Sequence, residues 1–258
     1  MSEEILNLPP PPPDQRVAYR SGPNQFIDLR FPSAKKDHPA PLLINIHGGF
    51  WRAKYDLAHA GHLCAALKAK GIATANLEYR RVGNEGGGWP GSLDDIRAAY
   101  HFLLQHAHTY GVDPRRSVVM GHSAGGQLAL CLAAHEPALH AVISLAGVVD
   151  LQQAYQLHLS NNAVVEFLHG TPSEVPDRYR EADPMQLSIR PQQWLIQGQA
   201  DETVPAAFSR AYVAAKQKLQ KKEDVHLVDI PGAGHIDLID PRSAAWKQVE
   251  HTVLQLAA

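Results

Sequence analysis

The sequence predicts an α/β fold in which a mostly parallel sheet carries helices on both faces. Short apolar segments of strand length alternate with longer stretches of helical spacing along nearly the whole chain. Parallel neighbours need crossover connections, and helices supply them. The 258 residues are enough for one large domain whose core requires neither disulfides nor metal. The 45% apolar and 19% charged content excludes a disordered chain.

Charge and cysteine usage narrow the partners and the compartment. A formal net charge of −2 provides no basic field, so neither nucleic acid nor a membrane is an expected partner. The acidic start, Met1–Leu6, lacks a signal-peptide pattern, and Cys64 and Cys131 read as buried free thiols. Together these features predict a cytoplasmic protein. The assembly stays open, with a homodimer as one candidate.

The first part of the chain is expected to differ from the rest. Residues 1–25 are predicted to form an extended arm, because Pro9–Pro13 favour polyproline II and forbid a helix. The domain proper is predicted to span 26–258. It begins with Phe26–Phe31, whose alternation of apolar and polar residues is typical of an edge strand.

The following elements are justified by their periodicity and end signals. Six further strands are short apolar runs: Leu42–His47, Ile72–Tyr79, Ser117–Gly121, Ala141–Ala146, Trp194–Gly198 and Val225–Ile230. Five helices show helical spacing: Leu57–Lys70, Leu93–Tyr110, Ser123–His135, Ala206–Leu219 and Ser243–Leu256. Ser92 can cap the second helix, and Gly71 and Gly111 follow the ends of the first two. Residues 149–191 interrupt the alternation and are predicted to be a short cap insertion.

The strongest functional signal is the G-x-S-x-G pentapeptide Gly121–Gly125. It follows a buried strand and opens an Ala-rich helix, which is the setting that a nucleophile elbow requires. Glycines at the two ends are needed where larger side chains would collide with the adjoining strand and helix. Ser123 is therefore the predicted nucleophile, and a glycine-rich turn without a nucleophile is the alternative.

A serine nucleophile needs a base, and the base needs an orienting acid. Asp201 lies in a turn just after a predicted strand, and His235 lies in a glycine turn after the last one. Both positions fall at the carboxyl ends of strands, where open α/β sheets carry their sites. The order Ser, Asp, His along the chain fits strand–elbow–helix hydrolases. Glu202 is the competing candidate for the acid.

The segment His47–Trp51, H-G-G-F-W, follows the predicted strand at 42–47. Backbone N–H groups of Gly48 and Gly49 can face an oxyanion, and the N–H of Ala124 at a helix start adds a third donor. His47 is predicted to brace this loop rather than to act as a base. Acyl transfer is the chemistry that needs such donors.

From Phe26 to Leu256 the chain resembles an α/β-hydrolase, and H-G-G-x-W resembles the motif of kynurenine formamidases and small esterases of the hormone-sensitive-lipase kind. The resemblance implies a Ser123–Asp201–His235 triad and an oxyanion hole of Gly48, Gly49 and Ala124. It implies a serine hydrolase that cleaves a small ester or aryl formamide without a cofactor. A general short-chain carboxylesterase and a catalytically inactive binding protein are the alternatives.

Two weaker signals complete the site predictions. Phe50, Trp51 and Trp89 are candidate substrate-binding residues that would form an aromatic wall, with ordinary packing as the alternative. Gly86–Gly91 formally matches a dinucleotide fingerprint, but it is displaced from its strand and contains a proline, so nucleotide binding is disfavoured. The 15 histidines show no metal-ligand spacing, and no metal site is predicted.

Overall fold

The computed structural model describes residues 3–33, 39–218 and 223–258. Their central feature is one eight-stranded sheet of order β1-β2-β4-β3-β5-β6-β7-β8. The strands are β1 Gln15–Ala18, β2 Phe26–Arg30, β3 Ala40–Ile46, β4 Ala73–Leu77, β5 Val112–His122, β6 Ala141–Leu145, β7 Gln192–Gly198 and β8 Val225–Ile230. The pairs β1–β2 and β2–β4 are antiparallel, and every other neighbouring pair is parallel. The predicted fold class is confirmed.

Helices cover both faces of the sheet, and the period of two along a strand divides the core between them. On β3, Leu42, Ile44 and Ile46 face one apolar cluster, whereas Leu43 faces the other. The longer helices are α1 Gly61–Ala69, α2 Gly91–Gln105, α3 Ala124–His135, α7 Ala207–Gln217 and α8 Trp246–Leu256. Helices α1 and α8 pack on the Leu43 side, and α2, α3 and α7 pack on the opposite side.

The segment 149–191, predicted as a cap insertion, is built from short helices. They are α4 Leu151–Gln156, α5 Ala163–Leu168, α6 Pro176–Ala182 and a 3₁₀ turn at Pro184–Gln186. Phe167 and Tyr179 are buried in the same cluster as α2 and α3. The segment is therefore packed onto the helical layer.

The segment predicted as an extended arm, residues 1–25, contains regular secondary structure. A 3₁₀ turn spans Glu3–Asn7 and buries Ile5, and β1 is the true edge of the sheet. The expectation that Phe26–Phe31 forms an edge strand is wrong, since β2 lies between β1 and β4. Its polar positions are buried because they have partners: Asp28, for example, accepts from Arg16 of β1 at 2.6 Å.

Helix ends also differ from their predicted positions. Pro90, not Ser92, is the N-cap residue of α2, and the Ser92 hydroxyl donates to the Arg80 carbonyl oxygen instead. The predicted end of the fourth long helix at Leu219 lies outside the described residues. No helix in the described part of the chain has both the length and the apolar character of a bilayer span.

Candidate active site

Ser123 occupies the sharp turn between β5 and α3. Its backbone has φ 57° and ψ −120°, which is strained for a residue with a side chain. The flanking glycines permit the turn. A Cβ on Gly121 would lie 2.0 Å from the Gly125 carbonyl oxygen, and one on Gly125 would lie 2.1 Å from the Ile46 carbonyl oxygen. Side chains at Gly121 and Gly125 would therefore collide with these two backbone oxygens, as the sequence predicts.

Asp201 and His235 meet at the same edge of the sheet, after β7 and β8. The Nδ1 atom of His235 lies 2.7 Å from Oδ2 of Asp201. The carboxylate is held from the other side by the backbone N–H groups of Thr203 and Val204, each donating to Oδ1 at 2.8 Å. Glu202, the competing acid, is exposed and makes no contact of this kind with His235 among the described residues.

Gly48 and Gly49 bring backbone against the serine. A Cβ on Gly48 would lie 2.8 Å from the His122 carbonyl oxygen and 3.0 Å from the Ser123 Cβ, so a side chain there would force the backbone apart. Gly49 has φ 110°, and the two residues after it, Phe50 and Trp51, also have positive φ. Gly49 lines the same cavity as Ser123, which is the residue directly before the start of α3.

His47 lies beneath this loop and is fully buried. Its Nδ1 is 2.8 Å from the Gly48 carbonyl oxygen, and its Nε2 is 3.2 Å from Oε1 of Glu78. Burial raises the pKa of Glu78, but His47, Arg81 and the Leu57 N–H outweigh burial and hold that pKa below its usual value. The anionic Glu78 therefore fixes the ring of His47, which fits the bracing role predicted for it.

A small cavity opens above the serine. Its volume is about 170 Å³, and Ser123 and His235 both line it. Phe50 is the one member of the predicted aromatic trio among its lining residues.

The structure does not bring Trp51 and Trp89 to that cavity, and the alternative of ordinary packing fits these two residues better than the aromatic wall. Trp51 is 1% exposed, stacks on Phe167 at 4.5 Å, and donates from Nε1 to Gln127 at 3.0 Å. Trp89 packs edge-on against the same Phe167. Both rings belong to the core beneath the 149–191 segment, because the turn after Gly49 points the Trp51 side chain inward.

Several residues around the cavity were not indicated by the sequence pattern. Glu3, Leu6, Tyr55, His59 and His122 all line it. Glu3 and Leu6 belong to no motif, and no periodicity places them near Ser123. Only the position of His122 beside the serine could have singled it out.

His122 lies directly against His235. The two ring centroids are 4.5 Å apart, and His122 Nε2 lies 3.1 Å from the His235 carbonyl oxygen. Burial, and then the neighbouring His235, lower the pKa of His122 well below its usual value. His122 is therefore a neutral ring that donates a hydrogen bond to the backbone of His235.

The remaining candidate features have structural explanations. In the glycine-rich stretch, a Cβ on Gly87 would lie 1.9 Å from the Arg81 carbonyl oxygen, and one on Gly91 would lie 1.9 Å from that of Gly86. Close packing of the loop on itself thus accounts for these glycines. A larger cavity, about 560 Å³, lies at the opposite end of the parallel strands, near Ala40 and Gly111, and away from the serine. Within the described ranges, no group of three or more metal-ligating side chains is clustered for a metal.

The parallel sheet, with the strained serine turn and the Asp201–His235 pair at its carboxyl edge, has the architecture of the α/β-hydrolase fold. The chain belongs to the BD-FAE family, which matches residues 27–216. The resemblance predicted from the motifs is confirmed at this level. The formamidase part of that resemblance is not shown and stays a prediction.

Two Mycobacterium tuberculosis proteins are among the similar curated sequences. Esterase LipC is 27% identical over 88% of this chain and 60% of its own length, and Esterase LipQ is 27% identical over 90% and 61%. A probable isoprenylcysteine alpha-carbonyl methylesterase of Oryza sativa is 24% identical over 92% and 61%. The chain thus spans about three fifths of the length of these relatives.

Solved structures share the fold. A truncated carbohydrate esterase from gut microbiota superposes with a TM-score of 0.81 at 20% identity, covering 97% of this chain and 99% of its own. Esterase B from Lactobacillus rhamnosis gives 0.79 at 19% identity, covering 99% of this chain and 90% of its own. At these identities the likeness extends to the fold alone.

Proposed function

We propose that this protein is a serine hydrolase that cleaves a small ester through an acyl-enzyme. The observation that carries the proposal is the 2.7 Å contact between His235 Nδ1 and Asp201 Oδ2, with Ser123 on the wall of the same cavity as His235. That arrangement provides a nucleophile, a base and an orienting acid in the order that the fold favours. Esterase names among the relatives support the same reaction class.

The first half of the reaction forms the acyl-enzyme. His235 Nε2 takes the Ser123 hydroxyl proton as Oγ attacks the substrate carbonyl carbon. Asp201 accepts from Nδ1–H, which keeps Nε2 free to act as the base and stabilises the imidazolium that forms. His235 then gives the proton to the leaving alkoxide oxygen as the C–O bond breaks. The alcohol departs, and the acyl group remains on Oγ.

The second half uses the same groups on water. His235 takes a proton from water, the hydroxide attacks the acyl carbon, and Ser123 Oγ leaves with the proton returned by His235. In both halves the negative charge develops on the former carbonyl oxygen. The amides of Gly48, Gly49 and Ala124 are proposed to hold that oxygen, with the α3 helix start adding a positive potential.

The cavity favours a short-chain ester over an aryl formamide. Its volume is about 170 Å³. Phe50 lines the cavity, whereas Trp51 and Trp89 are buried elsewhere. Tyr55 also lines the cavity, so the small volume, and not a lack of aromatic side chains, disfavours an aryl group. A short-chain carboxylesterase is the first candidate, an aryl formamidase is the second, and a catalytically inactive binding protein is the third.

Two further expectations remain proposals of a different kind. We place the protein in the cytoplasm, an expectation supported by Cys64 and Cys131, which are buried and free. The homodimer stays a prediction.

The experiment is a comparison of kcat/KM for p-nitrophenyl acetate, butyrate and octanoate with that for N-formylkynurenine. Ser123→Ala is the blank, and Ser144→Ala, another buried serine on the neighbouring strand, is the matched control. We expect acetate and butyrate to exceed octanoate and the formamide, and Ser123→Ala to lower kcat on the order of 10⁶-fold. A formamide rate above the acetate rate would establish the second candidate. Hydrolysis that survives in Ser123→Ala would contradict the proposal.

A further inference from the structure

The direction in which the alcohol leaves follows from the chemistry of His235. This ring must deliver a proton to the leaving oxygen, so the alcohol lies on the His235 side of Ser123. The oxyanion lies on the other side, toward Gly48. A groove of about 300 Å³ runs beside His235 and shares His235, Thr203, Ile236 and Glu3 with the catalytic cavity. The groove and the adjoining part of the catalytic cavity, which Leu6 also lines, are together the space available to the alcohol.

One wall of that space is the 3₁₀ turn Glu3–Asn7. In a 3₁₀ helix, residues three apart lie on the same face, so Glu3 and Leu6 point together. Both line the catalytic cavity, while Ile5 between them is 2% exposed and packs inward. The turn therefore presents one apolar and one acidic side chain to the site.

The prolines that follow hold this turn in place. The Pro11 carbonyl oxygen accepts from the buried Arg30 guanidinium at 2.7 Å, and the Leu8 carbonyl oxygen lies 3.2 Å from His62 Nε2. Polyproline geometry is stiff, so two such contacts fix the path of the segment. The proline run thus keeps Glu3 and Leu6 at the wall of the site. The fold of the sheet and helices does not otherwise require this run.

The electrostatic field of the groove is acidic. Glu3, Glu202 and Asp237 line it, and the lining of the two cavities contains no lysine or arginine among the described residues. Arg242, the nearby cation, is engaged by Glu4 at 3.2 Å and by Asp240 at 2.8 Å. Carboxylates without cationic neighbours repel anions and attract cations across a small, partly enclosed space.

We propose that Glu3 and Leu6 are specificity-determining residues of the alcohol subsite, Leu6 packing on the alcohol carbons and Glu3 favouring a cationic alcohol over a neutral or anionic one. This inference rests on the proposed esterase function. It assigns a substrate class, short-chain esters of ammonium-bearing alcohols, to the same catalytic cavity. Glu202 adds to the field from the other side of the groove.

The charge part is tested with an isosteric pair of esters. Acetylcholine and neohexyl acetate have the same shape, but carbon replaces the ammonium nitrogen in the second. We expect Glu3→Gln to lower the ratio of kcat/KM for acetylcholine to kcat/KM for neohexyl acetate about 3- to 10-fold. The value for acetylcholine alone should change, because a partly solvated carboxylate several ångströms away acts on the charged ester only. Raising the ionic strength from about 0.02 M to about 0.5 M should shrink the wild-type ratio, because the Debye length shortens.

The matched control is Glu4→Gln. Glu4 is the next residue along the chain, but its carboxylate pairs with Arg242 and does not line the cavity. We expect its ratio to stay at the wild-type value. Equal ratios in Glu3→Gln and wild type, or equal drops in Glu3→Gln and Glu4→Gln, would overturn the charge assignment.

The packing part has its own control. Leu6 is 38% exposed and Leu8 is 37% exposed, yet only Leu6 lines the cavity. We expect Leu6→Ala to lower kcat/KM for neohexyl acetate relative to methyl acetate about 3- to 10-fold, as expected for part of an apolar contact, and Leu8→Ala to leave it unchanged. Thermal unfolding midpoints of all four variants should match wild type, which separates specificity from folding.

Failure of this inference is distinguishable from failure of the proposed function. If p-nitrophenyl acetate is cleaved in a Ser123-dependent manner and the ratios do not respond, only the specificity assignment is overturned. If no ester is cleaved at all, both are overturned.

Discussion

Trp51 joins the loop of Gly48 and Gly49 to the core, and Trp51→Phe should therefore affect stability and catalysis together. The indole Nε1 donates to Gln127 Oε1 at 3.0 Å, and Gln127 is fully buried. The amide nitrogen of Gln127 donates in turn to the Ala182 carbonyl oxygen at 2.7 Å, at the end of α6. The Trp51 side chain thus connects the loop of Gly48 and Gly49 with α3 and, through Gln127, with the 149–191 segment.

The magnitude follows from the burial. Phenylalanine keeps a ring to stack on Phe167 but leaves Gln127 Oε1 buried without its donor, which costs about 1–3 kcal/mol. The smaller ring adds a cavity term, so we expect a total loss of about 2–4 kcal/mol in the free energy of unfolding. A loop displaced by an ångström should lower kcat about 10- to 100-fold.

Trp246→Phe is the matched control for this substitution. Trp246 is 4% exposed and also donates from Nε1, to Glu250 at 3.3 Å, but it lies in α8 away from the cavity. Glu250 keeps its contact with Lys70 and part of its hydration, so with the same cavity term the loss should be about 1–2 kcal/mol, and kcat should be unchanged. The assays are urea unfolding followed by circular dichroism and kcat for p-nitrophenyl acetate. Equal unfolding losses and equal kcat values in the two variants would refute the bracing role of Trp51.

Three further predictions concern the half-buried His59 and the buried Asp183 and Gly125. Burial, and then His47, lower the pKa of His59 to about 4, so between pH 6.5 and 4 the unfolded chain binds a proton that the folded chain does not bind. The free energy of unfolding should therefore fall as the pH drops from about 6.5 through 4. His59→Gln should remove about 1–2 kcal/mol of that loss near pH 5. Burial, and then Asp150, raise the pKa of Asp183 to about 7, so stability should fall as the pH rises from 3.8 through 7; Asp183→Asn should be more stable than wild type above pH 7 by about 1–3 kcal/mol. Gly125→Ala places a Cβ 2.1 Å from the Ile46 carbonyl oxygen and should cost more than about 3 kcal/mol or prevent folding.

The measurement for all three is urea unfolding, with the pH varied for the first two. A pH profile of His59→Gln parallel to wild type, or of Asp183→Asn likewise, would contradict the assigned cause. Gly71→Ala is the control for the glycine, because its Cβ would meet nothing within 4 Å and only its φ of 89° opposes the change. An equal cost at Gly71 and Gly125 would contradict the packing explanation.

The residues of the proposed active site could be placed together from the sequence because their signals are local. Gly121–Gly125 combines a strand end, a helix start and two glycines within five residues, and each glycine answers a specific contact in the fold. Asp201 and His235 each follow directly on a strand that periodicity identifies. The sheet edge then brings them together, since parallel strands place their carboxyl ends side by side.

The walls of the site could not be predicted because their signals are not local. Strand β1 is four residues long and mostly exposed, so Gln15–Ala18 has no apolar pattern, and its pairing with β2 is a tertiary contact. Leu6 lines the cavity because contacts with residues much later in the chain, Arg30 and His62, hold the segment that follows it. Trp51 could be assigned to a motif but not to a direction, because its positive φ sends the ring into the core.

Covalent labelling by a fluorophosphonate ester tests the central claim most directly. The intact mass of the folded protein should rise by one phosphonyl group, peptide mapping should place it on Ser123, and Ser123→Ala should not be labelled. Wild-type protein denatured in urea should also stay unlabelled, since the reactivity depends on the contact of His235 with Asp201. An unlabelled folded protein, or a label that persists in Ser123→Ala, would contradict the account of this chain as a serine hydrolase.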